Sequence, residues 1–183
     1  ELGSALSELW LKAGVSCRDV VLGVNNQDII VRFATLPKVP LDKLDNLIRF
    51  QSIDYIPIPV EEIELDYTII GEMNNEAGSF YKVLLVAGRK KMLFAFLDAF
   101  KKARLNISDI TASMLSMSRL LPNDLQDESV AMVNLSNDFG NIVILDRGEI
   151  GIARTFKYPG DFNPSRPEEF MDHAPVRQVP DGF

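Results

Sequence analysis

A single cysteine, a single histidine and a single tryptophan stand in 183 residues, and each scarcity closes off a class of chemistry. Cys17 has no partner within the chain, so no internal disulfide can form and a reducing compartment is the simplest setting. One His and one Cys cannot assemble the usual His/Cys zinc constellations, and no metal site is expected. His173 lies among prolines with no candidate nucleophile beside it, so no catalytic triad or dyad is expected either. No apolar run approaches the roughly 20 residues of a bilayer crossing, and no basic leader precedes an apolar core. These absences predict a cytosolic protein without a signal peptide or direct membrane insertion, whose membrane association goes through a partner. Cations are short too: 19 Lys and Arg against 26 Asp and Glu give a net charge of -7, which argues against nucleic acid as a ligand. The grouped cations, Arg89–Lys91 and Lys101–Arg104, read as a solvated helix face, with contact to anionic lipid as the alternative.

What is present is an ordinary globular composition, 46% apolar and 25% charged, enough for one domain or two small subdomains. Leu6, Leu9 and Trp10 recur at helical spacing within Ser4–Ala13, with Gly14 placed to stop the helix and Trp10 assigned to the core. Asp19–Val24 and Asp28–Leu36 read as β runs around the turn Asn25-Asn26-Gln27. Leu41–Asp54 is an amphipathic helix that presents Leu44, Leu47, Ile48 and Gln51 to one side, and the prolines at 57 and 59 force an extended exit. Ile63–Gly71 and Phe80–Gly88 are strands joined by the polar turn Glu72–Gly78. Lys90–Ala103 is the clearest helix, with Leu93, Phe96, Leu97 and Phe100 assigned to a core stripe. A brief strand over Asn106–Thr111 and a helix over Ala112–Leu121 follow, and Pro122 with the acidic stretch Asn123–Glu128 marks a boundary.

Val130–Phe156 then reads as three short apolar strands with the outline of a phosphate-binding hairpin. A working hairpin delivers a carboxylate and a glycine into a turn whose backbone N–H groups face phosphate. Here Asn134 stands where the acid belongs and Ser136 where the glycine belongs, with Asp138 and Gly140 completing a degenerate motif, so no nucleotide-binding residues are expected. After Gly160 the prolines forbid a long helix or continuous strand, while Phe162, Phe170, Met171, Val176, Val179 and Phe183 offer apolar anchors. The tail is therefore expected to cross the surface of the folded body, with a turn or two of helix over Pro167–His173.

Several ordered segments carry a family resemblance: Arg32-Phe-Ala-Thr-Leu-Pro37, the helix ending in Tyr55-Ile-Pro-Ile-Pro59, Glu64-Leu-Asp-Tyr67 and Val83-Leu-Leu-Val-Ala-Gly-Arg-Lys90. Over roughly Leu2 to Gly160 the chain resembles the type IV pilus assembly PilM family, actin-like relatives of the division protein FtsA. The resemblance implies an α/β chain with a partial actin-like (ribonuclease H-like) fold and an inserted FtsA/PilM-type β-α-β-β subdomain. It divides the chain into first-lobe segments 1–24 and 80–122, an inserted subdomain 25–79, opening strands of a second lobe 129–160 and a proline-rich tail 161–183. Intact family members open with a glycine-rich phosphate motif, which would precede Glu1; together with the degenerate hairpin this implies that ATP and magnesium, the cofactors of intact members, are not used here. The function implied is that of a cytosolic scaffold of type IV pilus assembly, or of a related secretion machine. Its partner would be the short N-terminal tail of a PilN-like inner-membrane protein, docked in a groove between the inserted subdomain and the first lobe. Phe50, Ile53 and Tyr55, off the main stripe of their helix, are candidates for one wall of that groove. A homo-oligomer is compatible with this reading. The alternative is a nucleotide-binding lobe of an actin-like ATPase, with Asp138 and Asp146 as magnesium ligands.

Overall fold

The computed structural model describes residues 1–122, 125–136 and 139–157. The proline-rich tail, Asp138 and part of the acidic boundary at 123–124 lie outside the described residues. Helix α1 (Leu2–Ala13) ends where Gly14 takes the left-handed conformation at φ 63°. It lies so close on helix α3 (Lys90–Lys102) that a Cβ on Gly3 would sit 2.8 Å from the Ala99 carbonyl oxygen. Strand β1 (Asp19–Val24) pairs in parallel with β5 (Asn106–Ala112), and Phe100, Ala103 and Leu105 form a small core between these elements and α1. Trp10 is half-buried at the rim of that core, where its indole N–H donates to the Cys17 carbonyl at 2.8 Å. The ring needs a polar partner, which draws it to the edge rather than the centre.

A second sheet has the order β2–β4–β3, antiparallel throughout, from β2 (Ile29–Pro37), β3 (Ile63–Asn75) and β4 (Gly78–Arg89). The hairpin is longer than its polar sequence predicts: pairing runs to Asn75 opposite Gly78, leaving Glu76 and Ala77 as the loop and Gly78 at φ 131°. Helix α2 (Leu41–Tyr55) covers one face, burying Leu44, Ile48 and Ser52 against Leu36, Val83, Leu85 and Ala87. Leu47 and Gln51, expected on this face, are half-buried at its margin, and Ser52 satisfies its hydroxyl on the Arg49 carbonyl at 2.9 Å. Strand β4, placed by the sequence in the first lobe from residue 80, is hydrogen-bonded on both sides within this sheet. It then runs directly into α3 at Lys90. Two of the grouped cations at this junction are paired: Arg89 with Asp28 at 3.2 Å and Glu62 at 3.6 Å, Lys90 with Glu64 at 3.8 Å.

After β5 the expected helix shortens to α4 (Ser113–Met117) and one 3-10 turn over Ser118–Leu120. Strands β6 (Ser129–Leu135), β7 (Phe139–Asp146) and β8 (Glu149–Lys157) form an antiparallel meander with β7 in the middle. Arg147 and Gly148, both at positive φ, make the two-residue turn into β8 that matches the twist of a hairpin. Val143, Leu145 and Ala153 from this meander pack with Val24, Val31, Leu84 and Met114, so strands β2 and β4 of the central sheet are covered on both faces.

The burial of α2 sets an expectation for stability. Leu44→Ala and Ile48→Ala should each cost about 2–5 kcal/mol, the range for emptying a core site, and the Asp variants more, because the charge would have no partner. Phe50→Ala, at a side chain 79% exposed, should change stability by no more than about 0.5 kcal/mol. Chemical denaturation of the three variants checks the orientation of the helix; equal losses at all three sites would show it assigned to the wrong face.

Candidate functional site

Between the β3–β4 part of the central sheet and the α3–β5 part of the first core lies an open groove of about 400 Å³. Its apolar floor comes from Leu65, Val86, Leu93 and Ile110, and α3 adds Phe94 and Leu97, which are 59% and 40% exposed. Large side chains left uncovered along one concavity are what a receptor for an apolar segment requires. Among the described residues β3 and β5 are each hydrogen-bonded to a neighbouring strand on one side only, and both border the groove. Each carries the same local device. The Tyr67 amide donates to the side chain of Asp66, and the Ile110 amide to the side chain of Asp109, both at 2.8 Å. Asp66 and Asp109 line the groove together with Glu64, so its rim is acidic.

Sequence reasoning expected a groove between the inserted subdomain and the first lobe and drew one of its walls from α2. Phe50 and Ile53 project from the outer face of α2, 79% and 66% exposed, and Tyr55 is half-buried against the core beneath that helix. None of the three lines the groove. Its helical wall is α3, where Leu97 had been counted as core and Phe94 passed over. The available signal was Phe94 itself, an apolar residue off the buried stripe of an otherwise well-patterned helix. A smaller cleft beside α2 is polar, and there the Tyr67 hydroxyl donates to Asp45 at 2.6 Å. That hydrogen bond, with a minor contribution from burial, raises the phenol pKa above its ordinary value.

The β6–β7 hairpin holds the degenerate phosphate motif. Asn134 lies half-buried opposite Asn141 in the strand register. The Ser136 amide, which would have to face a phosphate, donates to the Phe139 carbonyl at 2.9 Å. Gly140 is pressed against Phe156, whose Cζ would stand 2.4 Å from a Cβ at that position. Asn141 is buried and fully engaged, its amide donating to the Asn25 side chain and its oxygen accepting from the Thr155 hydroxyl at 2.9 Å. Asp146, offered as a magnesium ligand under the alternative reading, sits exposed at the end of β7, where it accepts from the Ser129 hydroxyl at 2.8 Å and faces Arg147 at 3.5 Å. Among the described residues no three His, Cys, Asp or Glu side chains are grouped to hold a metal ion.

Comparison with known proteins identifies this architecture. The family described as type IV pilus assembly protein PilM matches residues 1–165. A solved PilM-PilN type IV pilus biogenesis complex contains a chain similar to this one at 22% identity and a TM-score of 0.74, over 85% of this chain and 47% of that one. The cytoplasmic domain of EpsL, an inner-membrane component of the type II secretion system of Vibrio cholerae, is similar at 15% identity and a TM-score of 0.58, over 99% of this chain and 64% of that domain. The chain thus spans about half the length of the PilM structure that it matches. At these identities the likenesses show the fold alone, a mixed α/β fold shared with these two proteins. The match over residues 1–165 shows the family: the chain belongs to the type IV pilus assembly PilM family.

Proposed function

We propose that this chain is a docking part of a type IV pilus platform, and that its groove receives a short extended segment from the tail of a PilN-like inner-membrane protein. The observation that carries this reading is the pair of exposed apolar side chains, Phe94 and Leu97, set between two one-sided strands. An extended peptide adds hydrogen bonds along a strand edge while its alternate side chains enter apolar pockets. The similar PilM chain was solved together with PilN, which supports a partner of this kind. The acidic rim selects further: a segment with a Lys or Arg beside its apolar anchors would meet Asp66, Asp109 and Glu64. Through such a partner the protein would be held at the inner membrane from the cytoplasmic side.

ATP hydrolysis is not part of the proposed role. A triphosphate needs amides pointed at it and carboxylates on its magnesium. In the hairpin motif Asn134 stands where the acid belongs and the Ser136 amide is spent within the turn. Phe156 fills the space beside Gly140.

Two measurements test these readings. Titration with a peptide from the cytosolic N-terminal tail of the PilN-like partner should show binding that Phe94→Ala and Leu97→Ala each weaken by roughly tenfold or more, as for apolar anchors at a hot spot. Phe50→Ala should bind like the parent, and added salt should weaken the interaction through the rim charges. If Phe50→Ala is the damaging change, the groove is the wrong site. A melting curve with magnesium and ATP should match the curve without them, since a ligand that binds only the folded state would raise the midpoint; a dose-dependent rise would restore the nucleotide-binding reading.

A further inference from the structure

A further cavity, of about 150 Å³, lies where β2 meets β8, remote in sequence from the groove residues of α3. Arg32 from β2 and Arg154 from β8 line it, with Gln27, Met114 and Thr155 beside them and no Asp or Glu in its wall. Each guanidinium spends one N–H on the carbonyl of the residue before it: Arg32 on Val31 at 2.8 Å, Arg154 on Ala153 at 3.0 Å. Among the described residues neither is paired with a carboxylate. This is unusual in a chain with 26 acids and 19 bases, where acidic partners outnumber the cations seeking them. Arg32 is half-buried, and its burial, followed by the charge of Arg154, lowers its pKa from the ordinary value. Arginine still does not give up its proton in a protein, so among the described residues the two positive charges stand near each other without a carboxylate partner.

We propose that Arg32 and Arg154 form a binding site for a phosphate-type oxyanion, held between β2 and β8. Two guanidinium forks offer several parallel N–H donors, the arrangement that suits phosphate oxygens. Two unit charges match a dianion better than a monovalent carboxylate. The cavity is well below the ~300–1,000 Å³ of pockets that enclose drug-sized ligands, so the group held is the size of an inorganic ion or the head of a phosphate monoester, not a nucleotide. Bound there, the anion would clamp the central sheet to the β6–β8 meander, because one arginine comes from each.

The test is thermal unfolding and calorimetric titration of the parent chain with sodium phosphate, against sodium chloride and sodium acetate at equal ionic strength. Phosphate should raise the midpoint saturably, and chloride and acetate should not. Glycerol phosphate, run alongside, separates the sources: a gain like that of inorganic phosphate means that a monoester head can enter, and no gain restricts the site to the free ion. Arg154→Gln and Arg32→Gln should each weaken phosphate binding by roughly ten- to a hundredfold, the effect of losing charge-assisted hydrogen bonds. In phosphate-free buffer Arg154→Gln should be at least as stable as the parent, since it removes a repulsion; an arginine with a structural role would show a loss. Should Arg32→Gln fail to fold, Arg154→Gln alone decides, because that side chain is exposed. No gain with phosphate, an equal gain with acetate, or a gain that survives in Arg154→Gln would overturn the proposal.

Discussion

Strand β4 is the constraint on which the rest of the molecule depends. It is bonded to β2 along one edge and β3 along the other, and side chains on both of its faces are buried. Val83, Leu85 and Ala87 meet the α2 side, while Leu84 faces the β6–β8 meander. A strand so enclosed reads as a continuous apolar run rather than an alternating one, which is what Val83-Leu-Leu-Val-Ala87 displays. Because β4 passes into α3 without a loop, its position also sets where Phe94 and Leu97 stand. The groove is thus a product of core packing: the helix that walls it continues directly from the central strand of the sheet.

Much of this was legible in the residues. The Leu41–Tyr55 helix, the prolines that end it and the three late strands all carry local signals that tertiary packing did not override. The hairpin between β3 and β4 was misjudged because Glu72–Asn75 is polar, and polarity was taken to mean a turn. On a strand with one neighbour, half of the positions face water, so polar residues can continue the pairing to the tip. Leu97 was harder. Periodicity reports which residues of a helix are apolar, but not whether this chain supplies what covers them. A stripe left partly open to solvent looks in sequence like a stripe completed by the core.

Neither half of the candidate site follows from local pattern alone. Its apolar floor is built from residues such as Leu65, Val86 and Leu93 that read as strand or helix core, and no spacing says that they meet at one concavity. Its acidic rim depends on β3 and β5 coming to the same concavity, a meeting of residues 64–66 with 109–112 that no local pattern encodes. The arginines at β2 and β8 are a stronger case of the same kind, 122 residues apart in sequence yet lining one small cavity. Only the topology reveals that, among the described residues, their charges meet no carboxylate.

The side-chain caps on Tyr67 and Ile110 have a consequence for how this protein behaves among copies of itself. Open strand edges recruit one another, and natural sheets blunt them with charge, bulges or cover. Here Asp66 and Asp109 each occupy a neighbouring amide and place a negative charge at the edge. An identical edge approaching from another molecule would bring the same charge and find the donor already taken. These two edges can therefore stay exposed at high local concentration without nucleating fibres, and only a strand of opposite charge gains by displacing the caps.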